Sequence, residues 1–441
     1  MGERLSLVSK VNFTSVLSWG TKGSLAILEY GLISGCNFLT SVLLARWLTP
    51  DQYGAFALAF SVFVLLTVLY QAIVLEPMSV YGGAMATEMH GPYLKALFWI
   101  HAALSILVVM CLGISVVITN RLHMTTLQSA FLGLTLAAPL ILLLGLSRRA
   151  YYIRLSPGPA VLGAGMYSLV IIIGLAVLRT RLSAFLAFGL MGAGALVGSL
   201  FLLFRLGNYL DWKSHAATLS STWRDHWHYG RWATLSAVFG WAPAYACYPL
   251  ITWLRGTAGA AELKALMNIS APVIQTFMAL SVLILPYAAG SERDHKDGMA
   301  ICRNIAFIFV AAGVAYWIVM MSMKTMAFRL MYGDKYQELM PLLPLFVVES
   351  LVWCIACAPT IVLRAKKSPK SVCAANFAAT LAFVAVAVPA TRAFGISGLM
   401  MGMIVANLCI LAVSLSLLRR LLSSNKAGPL PNACPEVEVV S

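Results

Sequence analysis

The chain has 441 residues, of which 60% are hydrophobic and only 11% are charged, and its mean hydropathy is +0.85. Soluble globular proteins do not have this composition, and an excess of Lys and Arg gives a net charge of +15. A soluble globular fold is therefore excluded, and the sequence indicates a polytopic membrane protein.

Long apolar segments recur along most of the chain. A helix that crosses the hydrocarbon core needs about 20 mostly apolar residues, and short polar breaks separate segments of that length throughout. The sequence therefore predicts an all-α fold with about twelve transmembrane helices. We place these spans at 24–47, 53–75, 93–118, 126–146, 158–178, 182–206, 230–254, 264–290, 299–323, 340–364, 371–391 and 396–418.

The break between the first two predicted spans, in "LLARWLTPDQYGAF", indicates how the chain reverses. Pro50 fixes its own φ, Gly54 tolerates positive φ, and Asp51 is typical of turns and helix starts. Trp47 and Tyr53 fit the aromatic belt at the membrane interface. The segment therefore predicts a tight hairpin at the membrane surface.

Lys and Arg are unevenly distributed between alternate loops. Placing the N-terminus inside puts about two thirds of the 31 Lys and Arg on the cytoplasmic side, which is the positive-inside pattern. Both termini are therefore expected in the cytoplasm, and the positive charge is attributed to the cytoplasmic leaflet, not to nucleic-acid binding. Residues 1–23 lack the apolar core of a signal peptide, and the polar C-terminal tail is expected to be disordered.

The two halves of the chain resemble each other at a constant offset. Gly189-Leu190-Met191 corresponds to Gly398-Leu399-Met400, and the hairpin at Tyr53 maps by the same offset onto a turn around Leu263. A repeat of six spans preserves the direction of the chain, so two parallel six-helix lobes are predicted. The expected organisation is a cytoplasmic segment 1–23, a lobe 24–206, an interlobe linker 207–229, a lobe 230–418 and a cytoplasmic tail 419–441.

The nine cysteines do not indicate a disulfide framework, because they lie in or beside predicted spans or in the tail. Cys354 and Cys357 form a C-x-x-C, but no second ligand pair follows, so we interpret them as packing residues. The longest internal loops, 76–92 and 207–229, contain no metal-ligand spacing, nucleophile motif or phosphate-binding glycine loop. We therefore expect no enzyme activity, no metal and no cofactor.

Separated motifs carry a family resemblance. They are "SVLLARWLTPDQYGAFALAFSVF", "LSRRAYYIRLSPGPA", "HWHYGRWATLSAVFGW" and "FRLMYGDKYQELMPLLPLFVVESL", followed by "FGISGLMMG". Together they resemble the Wzx-type flippases, the polysaccharide-transport branch of the multidrug/oligosaccharidyl-lipid/polysaccharide (MOP) exporter superfamily, over about residues 24–420. The resemblance implies a V-shaped, alternating-access transporter in the bacterial inner membrane.

The substrate implied by this resemblance is an undecaprenyl-pyrophosphate-linked oligosaccharide, flipped from the cytoplasmic to the periplasmic leaflet for surface polysaccharide synthesis. Membrane lipids and other polysaccharide assembly proteins are the further partners that it implies. Drug exporters of the superfamily share the twelve-span plan, so a cation- or proton-coupled multidrug exporter is the alternative. A cation exporter favours an acidic or aromatic lumen, whereas a flippase needs cationic mouths and tolerates few acids.

Carboxylates inside the predicted spans are few. Glu29 and Glu349 fall well inside spans, and Glu76 lies at a cytoplasmic end. A carboxylate in a membrane is costly and therefore a candidate for function, here for coupling transport to an ion. For Glu29 and Glu349 the alternative role is a protonated, hydrogen-bonded group that is purely structural.

Basic and aromatic residues gather at the ends of predicted spans. A guanidinium suits a phosphate bidentately and aromatic rings suit sugars, so these residues are candidates for binding the diphosphate and the oligosaccharide. The candidates are Arg231, Arg46, Arg149, Arg303, Trp227 and Tyr229. Arg231 is the favoured arginine because "HWHYGRW" surrounds it, while snorkelling and the interfacial aromatic belt are the alternative roles for the set.

Overall fold

The computed structural model describes residues 13–84, 89–207, 217–290, 298–366 and 368–426, and these contain helices and no strand. The N-terminal half comprises α1 (Phe13–Trp47), α2 (Pro50–Tyr70), α3 (Glu76–Ala84), α4 (His90–Arg121), α5 (Thr125–Ile153), α6 (Gly158–Val177) and α7 (Ala184–Leu206). The C-terminal half comprises α8 (Ala217–Tyr245), α9 (Cys247–Gly290), α10 (Gly298–Ser322), α11 (Lys324–Tyr332), α12 (Leu343–Ala365), α13 (Pro369–Phe394) and α14 (Ile396–Lys426). A π-helical turn, Gln71–Leu75, joins α2 to α3, and two 3₁₀ turns lie at Arg179–Arg181 and Gln337–Leu342.

The all-α membrane fold predicted from composition is confirmed. Within the described residues ten helices are long and apolar enough to cross a membrane, and each coincides with one predicted span. The first hairpin is also as predicted, because α1 ends at Trp47 and α2 begins at Pro50, with the Thr49 hydroxyl accepting from the backbone N–H of Gln52 at its start. The chain is therefore a multi-pass membrane protein.

The two other predicted spans, 230–254 and 264–290, have different boundaries in the structure. Helix α8 ends at Tyr245, and the reversal of the chain lies at Gly256, which has a φ of +73°. Pro249 lacks the N–H that would bond to the carbonyl of residue 245, which explains the break there. Gly256 lies within the predicted turn "LRGTAGAAELKAL" between these spans, but near its start, and Leu263 itself is fully buried in helix α9.

The predicted linker 207–229 is helical from Ala217 onward, because α8 begins there. Residues 208–216 lie outside the described part of the chain, as do residues 1–12 of the predicted N-terminal segment and residues 427–441 of the predicted tail. The described part of the tail, 419–426, continues helix α14.

Helix packing repeats between the two halves. In the N-terminal half α1 packs on α6, α5 on α7 and α6 on α7, and in the C-terminal half α8 packs on α13, α12 on α14 and α13 on α14. Glycines allow the close contacts of α6 with α7 and of α13 with α14. A Cβ on Gly194 of α7 would lie 2.8 Å from the Tyr167 carbonyl oxygen of α6, and a Cβ on Gly398 of α14 would lie 1.9 Å from the Ala390 carbonyl oxygen of α13. The same packing pattern thus recurs in α1–α7 and in α8–α14, which we call the N-terminal and C-terminal lobes; the six membrane spans of each lobe remain a prediction.

The predicted orientation can be tested by thiol labelling in a variant from which the nine native cysteines have been removed. Leu122 lies exposed in the turn after α4, and Ser156 lies exposed in the turn after α5. We expect Leu122→Cys to react with a membrane-impermeant reagent in intact cells and Ser156→Cys to react only after permeabilisation. The reverse pattern of accessibility would contradict cytoplasmic termini.

Candidate functional site

The start of α2 touches α9 directly after its break at Gly256, at the end of the molecule that the predicted orientation makes the outer end. A Cβ on Gly54 would lie 1.7 Å from the backbone oxygen of Thr257, so the two helix backbones are in direct contact. The Thr257 hydroxyl donates to Asp51 Oδ1 at 2.8 Å. Only glycine permits this approach, and the two lobes are closed here.

A buried triad of polar side chains ties the lobes together on the inner side of that contact. Asn268 Nδ2 on α9 donates to the Tyr53 hydroxyl at 2.9 Å, and the Ser41 hydroxyl on α1 donates to Asn268 Oδ1 at 2.9 Å. The Ser41 and Tyr53 hydroxyls are also within 3.1 Å of each other. Because polar groups of both lobes satisfy one another here, separating the lobes would leave each of them to be rehydrated.

Two cations form reciprocal bonds across the outer ends of the lobes. Arg46, at the end of α1, donates to the Leu330 carbonyl of α11 at 2.8 Å. Lys335 donates in return to the carbonyls of Arg46 and Leu48, at 3.0 and 2.7 Å. Carbonyls at a helix end lack intrahelical partners and carry partial negative charge, so each cation sits at the favourable end of a helix from the other lobe. Arg46, predicted as a diphosphate contact, therefore lies in the outer closure.

Lys264 is a cation between the lobes that sequence reasoning missed. Its ammonium lies 4.7 Å from the ring centroid of Phe60 on α2 and 5.8 Å from that of Tyr248 on α9. The side chain is half-buried, and no carboxylate among the described residues lies within ion-pair distance of it. Two aromatic faces stabilise the positive charge without neutralising it. A single Lys in the apolar run "LKALMNIS" was the available signal, but the predicted span 264–290 places it at the very start of the helix, at the membrane surface.

Glu29 is paired with a base of its own lobe. Arg148 Nε and the Tyr152 hydroxyl, both on α5, donate to its two carboxylate oxygens. Arg149 lies within electrostatic range of Glu29 and of Glu76. The structure therefore brings together three predicted candidates, Glu29, Arg149 and Glu76, near the start of α3 and the C-terminal end of α5.

Helix α8 docks on the π-helical turn at the inner end of the N-terminal lobe. His226 Nδ1 donates to the Ile73 carbonyl at 3.0 Å, and Nε2, 2.8 Å from the Tyr93 hydroxyl, accepts from it. Burial lowers the pKa of the His226 imidazole, in keeping with this neutral tautomer. The Tyr229 hydroxyl donates to Glu76 Oε1 at 3.0 Å, so these two predicted candidates are in contact.

The remaining predicted residues are dispersed. Trp227 is 48% exposed and stacks on Trp223, and Arg231 lies exposed on α8. Arg303 lies exposed on α10. Glu349 is buried inside the C-terminal lobe between α12 and α14, where Asn407 Nδ2 donates to its Oε1 at 3.0 Å. The predicted residues thus do not form one site, and the lobe interface is organised by residues of α1, α2 and α9.

Comparison with solved structures finds transporters of the MOP superfamily. An inward-facing multidrug resistance MATE family transporter matches with a TM-score of 0.76 and 14% identity, over 90% of this chain and 96% of that one. The lipid II flippase MurJ in an inward closed conformation matches with a TM-score of 0.70 and 12% identity, over 90% and 87%.

A third match is a MOP superfamily transporter from Pyrococcus furiosus, for which a reverse polarity of the binding pocket suggests a different function; its TM-score is 0.66 at 14% identity, over 93% and 96%. No family model and no curated protein sequence matches the chain. At these identities the likeness establishes the fold: the chain has the architecture of MOP superfamily transporters.

The contact at Gly54 provides a test of the outer closure. In Gly54→Ala the added methyl group meets a backbone oxygen, which cannot rotate away, so the lobes have to separate locally. We expect faster modification of a cysteine placed at the buried Ser41, measured from the outer side with a membrane-impermeant thiol reagent.

Gly113→Ala on α4 is the matched control, since a Cβ at Gly113 meets nothing within 4 Å. It should leave the rate of modification at position 41 unchanged. A parental rate in Gly54→Ala would show that the α2–α9 contact does not close the outer end.

Proposed function

We propose that the protein is a transporter that flips an undecaprenyl-pyrophosphate-linked oligosaccharide across the bacterial inner membrane by alternating access, for surface polysaccharide synthesis. The observation that supports this function best is the un-neutralised cation of Lys264 between the two lobes. A diphosphate head group carries negative charge into the protein, and a cation held at the lobe interface favours that charge there.

The buried acids support the same choice of substrate. A transporter of cations requires a carboxylate that is free to meet its cargo. Glu29 is already paired with Arg148, and Glu349 bonds to Asn407 within the C-terminal lobe. The Pyrococcus furiosus transporter is a precedent for using pocket polarity to separate functions within this fold. The lobe interface of this chain accordingly suits an anion better than a cation.

The membrane potential favours the proposed direction of transport, so the protein needs only to solvate the head group and compensate its charge during the crossing. A diphosphate that leaves the negative interior of the cell moves with the membrane potential, which contributes about 2.3 kcal/mol per charge per 100 mV. The protein then has to supply a hydrated groove for the sugars and compensation for the diphosphate, while the lipid tail stays in the bilayer. Arg149, Arg231, Arg303, Trp227 and Tyr229 are proposed contacts along the inner part of that groove, and polysaccharide assembly proteins are proposed partners.

The second candidate function is cation- or proton-coupled multidrug export. It is favoured by the MATE-like fold and by Glu349, a carboxylate buried in the C-terminal lobe. A deletion strain separates the two functions. Lipid-linked oligosaccharide that accumulates on the cytoplasmic face supports flipping, whereas altered drug sensitivity without accumulation supports export.

Lys264→Gln removes the interface charge while keeping a polar side chain of similar length. Because a hydrogen bond to a charged group contributes about 1.5–3 kcal/mol, affinity for the lipid-linked substrate should fall by about 10- to 150-fold. Lys264→Arg should restore most of the affinity, and Lys324→Gln, which removes an exposed cation at the start of α11, should not change it. Parental affinity in a correctly inserted Lys264→Gln variant would remove Lys264 from the binding site.

Glu349→Gln tests the proposed role in coupling. The amide reproduces the protonated carboxyl in shape and preserves a partner for Asn407, so the variant should insert and fold normally. If Glu349 couples protons to transport, flipping by the reconstituted variant should lose its dependence on an imposed pH gradient, while Glu349→Asp keeps part of it. A full response to the gradient in Glu349→Gln would leave Glu349 as a structural hydrogen-bonding group.

A further inference from the structure

The outer end of the C-terminal lobe contains a basic pocket that the proposed transport route does not use. Its volume is about 510 Å³, and it lies where α13 ends and α14 begins. Residues 391–395 form one wall, and Leu254 and Arg255, just before the reversal at Gly256, form the other. Two arginines, Arg255 and Arg392, therefore line the same cavity.

The structure fixes the position of both guanidinium groups. A Cβ on Gly395 would lie 2.5 Å from Arg255 Nη1, so the absence of a side chain there gives the Arg255 guanidinium its place. Gly395 has a φ of +59°, which also favours glycine. The Arg392 guanidinium lies over the ring of Trp253, 5.3 Å from its centroid. Both arginine side chains are therefore preorganised for binding an anion.

No carboxylate lines the pocket within the described residues. Glu262 lies within electrostatic range of Arg255 but is not part of the wall. The net charge presented to a ligand is therefore positive. Paired guanidinium groups suit the tetrahedral oxygens of a phosphate, to which each can donate two parallel hydrogen bonds.

The internal repeat supplies a comparison within the same chain. In the N-terminal lobe the Arg179 guanidinium lies over Trp47, 5.2 Å from the ring centroid, in the way that Arg392 lies over Trp253. Two residues after the tryptophan the C-terminal lobe has Arg255, whereas the N-terminal lobe has Thr49. The N-terminal lobe thus has the stacked arginine but a threonine at the position that corresponds to Arg255.

The surroundings of the pocket indicate a ligand that lies in the membrane. Trp253 is 67% exposed and Phe394 is 66% exposed, and both lie beside the arginines. Exposed aromatic rings next to cations are typical of the headgroup level of a bilayer. We propose that this pocket binds the phosphate group of a lipid in the outer leaflet, with the acyl chains against Trp253 and Phe394.

The proposal can be tested by native mass spectrometry of the full-length purified protein titrated with phosphatidylglycerol. Each positive side chain near a membrane surface contributes about 1 kcal/mol to binding an anionic lipid, which is about fivefold in affinity. We expect Arg255→Gln and Arg392→Gln each to weaken phosphatidylglycerol binding by about fivefold. Arg179→Gln, which removes the equivalent stacked arginine of the N-terminal lobe, should have no such effect.

Two further ligands separate a lipid site from a general anion site. A diacylglycerol without a phosphate should not occupy the site, and inorganic phosphate at millimolar concentration should not displace phosphatidylglycerol from the parental protein. Three results would each overturn the proposal. They are parental phosphatidylglycerol binding in a variant with both Arg255→Gln and Arg392→Gln, an equal loss of that binding in Arg179→Gln, and complete displacement of the lipid by inorganic phosphate. Because no described residue of the N-terminal lobe lines the pocket, flipping of the transported substrate by Arg392→Gln reports separately on the proposed function.

Discussion

The contact between α2 and α9 at Gly54 and Thr257 sets the conformation of the whole molecule. It brings two helix backbones, one from each lobe, within the distance that only a missing Cβ allows. Every other bond across the outer end depends on that approach. The triad of Ser41, Tyr53 and Asn268 can close only when the helices are this near, and so can the reciprocal bonds of Arg46 and Lys335.

Helix α8 limits how the lobes can move apart. It belongs to the C-terminal lobe by sequence and packs on α13 there, where the Thr380 hydroxyl donates to the Phe239 carbonyl at 3.0 Å. It also docks on the N-terminal lobe, through His226 near its inner end and, nearer its C-terminal end, through Trp241, whose Nε1 donates to the Ser61 carbonyl at 3.0 Å. The alternating access proposed above would therefore not be a simple separation of the two lobes. It would require one face of α8 to change partners.

Composition and periodicity were sufficient for the fold, because apolar segments of bilayer length leave the backbone no alternative to helices. The hairpin at Pro50 was also predictable, since its turn and cap residues lie next to each other in sequence. The break after Tyr245 was not predicted, because apolar residues continue through it and only Pro249 interrupts them. The turn at Gly256 lies within the predicted break 255–263, but near its start, so the following helix begins several residues earlier than predicted. That displacement hid Lys264: counted from Gly256, it lies about 12 Å inside the membrane at 1.5 Å per residue.

The candidate site was harder to predict than the fold for a related reason. Glu29 and Glu349 are conspicuous in apolar sequence, but their partners, Arg148 and Asn407, are distant in the chain and are brought near only by helix packing. Their contacts differ: Glu29 forms an ion pair within its lobe, whereas Glu349 accepts a hydrogen bond from Asn407.

The meeting of α2 and α9 also has an electrostatic consequence. Helix α2 and the segment of α9 that follows the break at Gly256 both start at this contact, so the positive ends of two helix macrodipoles, each equivalent to about half an elementary charge, face each other across the lobes. Asp51, in the first turn of α2 and bonded to Thr257, is the anion that offsets this repulsion. Any other anion that entered between the two helix starts would compete with Asp51 for the same donors. The outer closure and an anionic guest at that position therefore exclude each other.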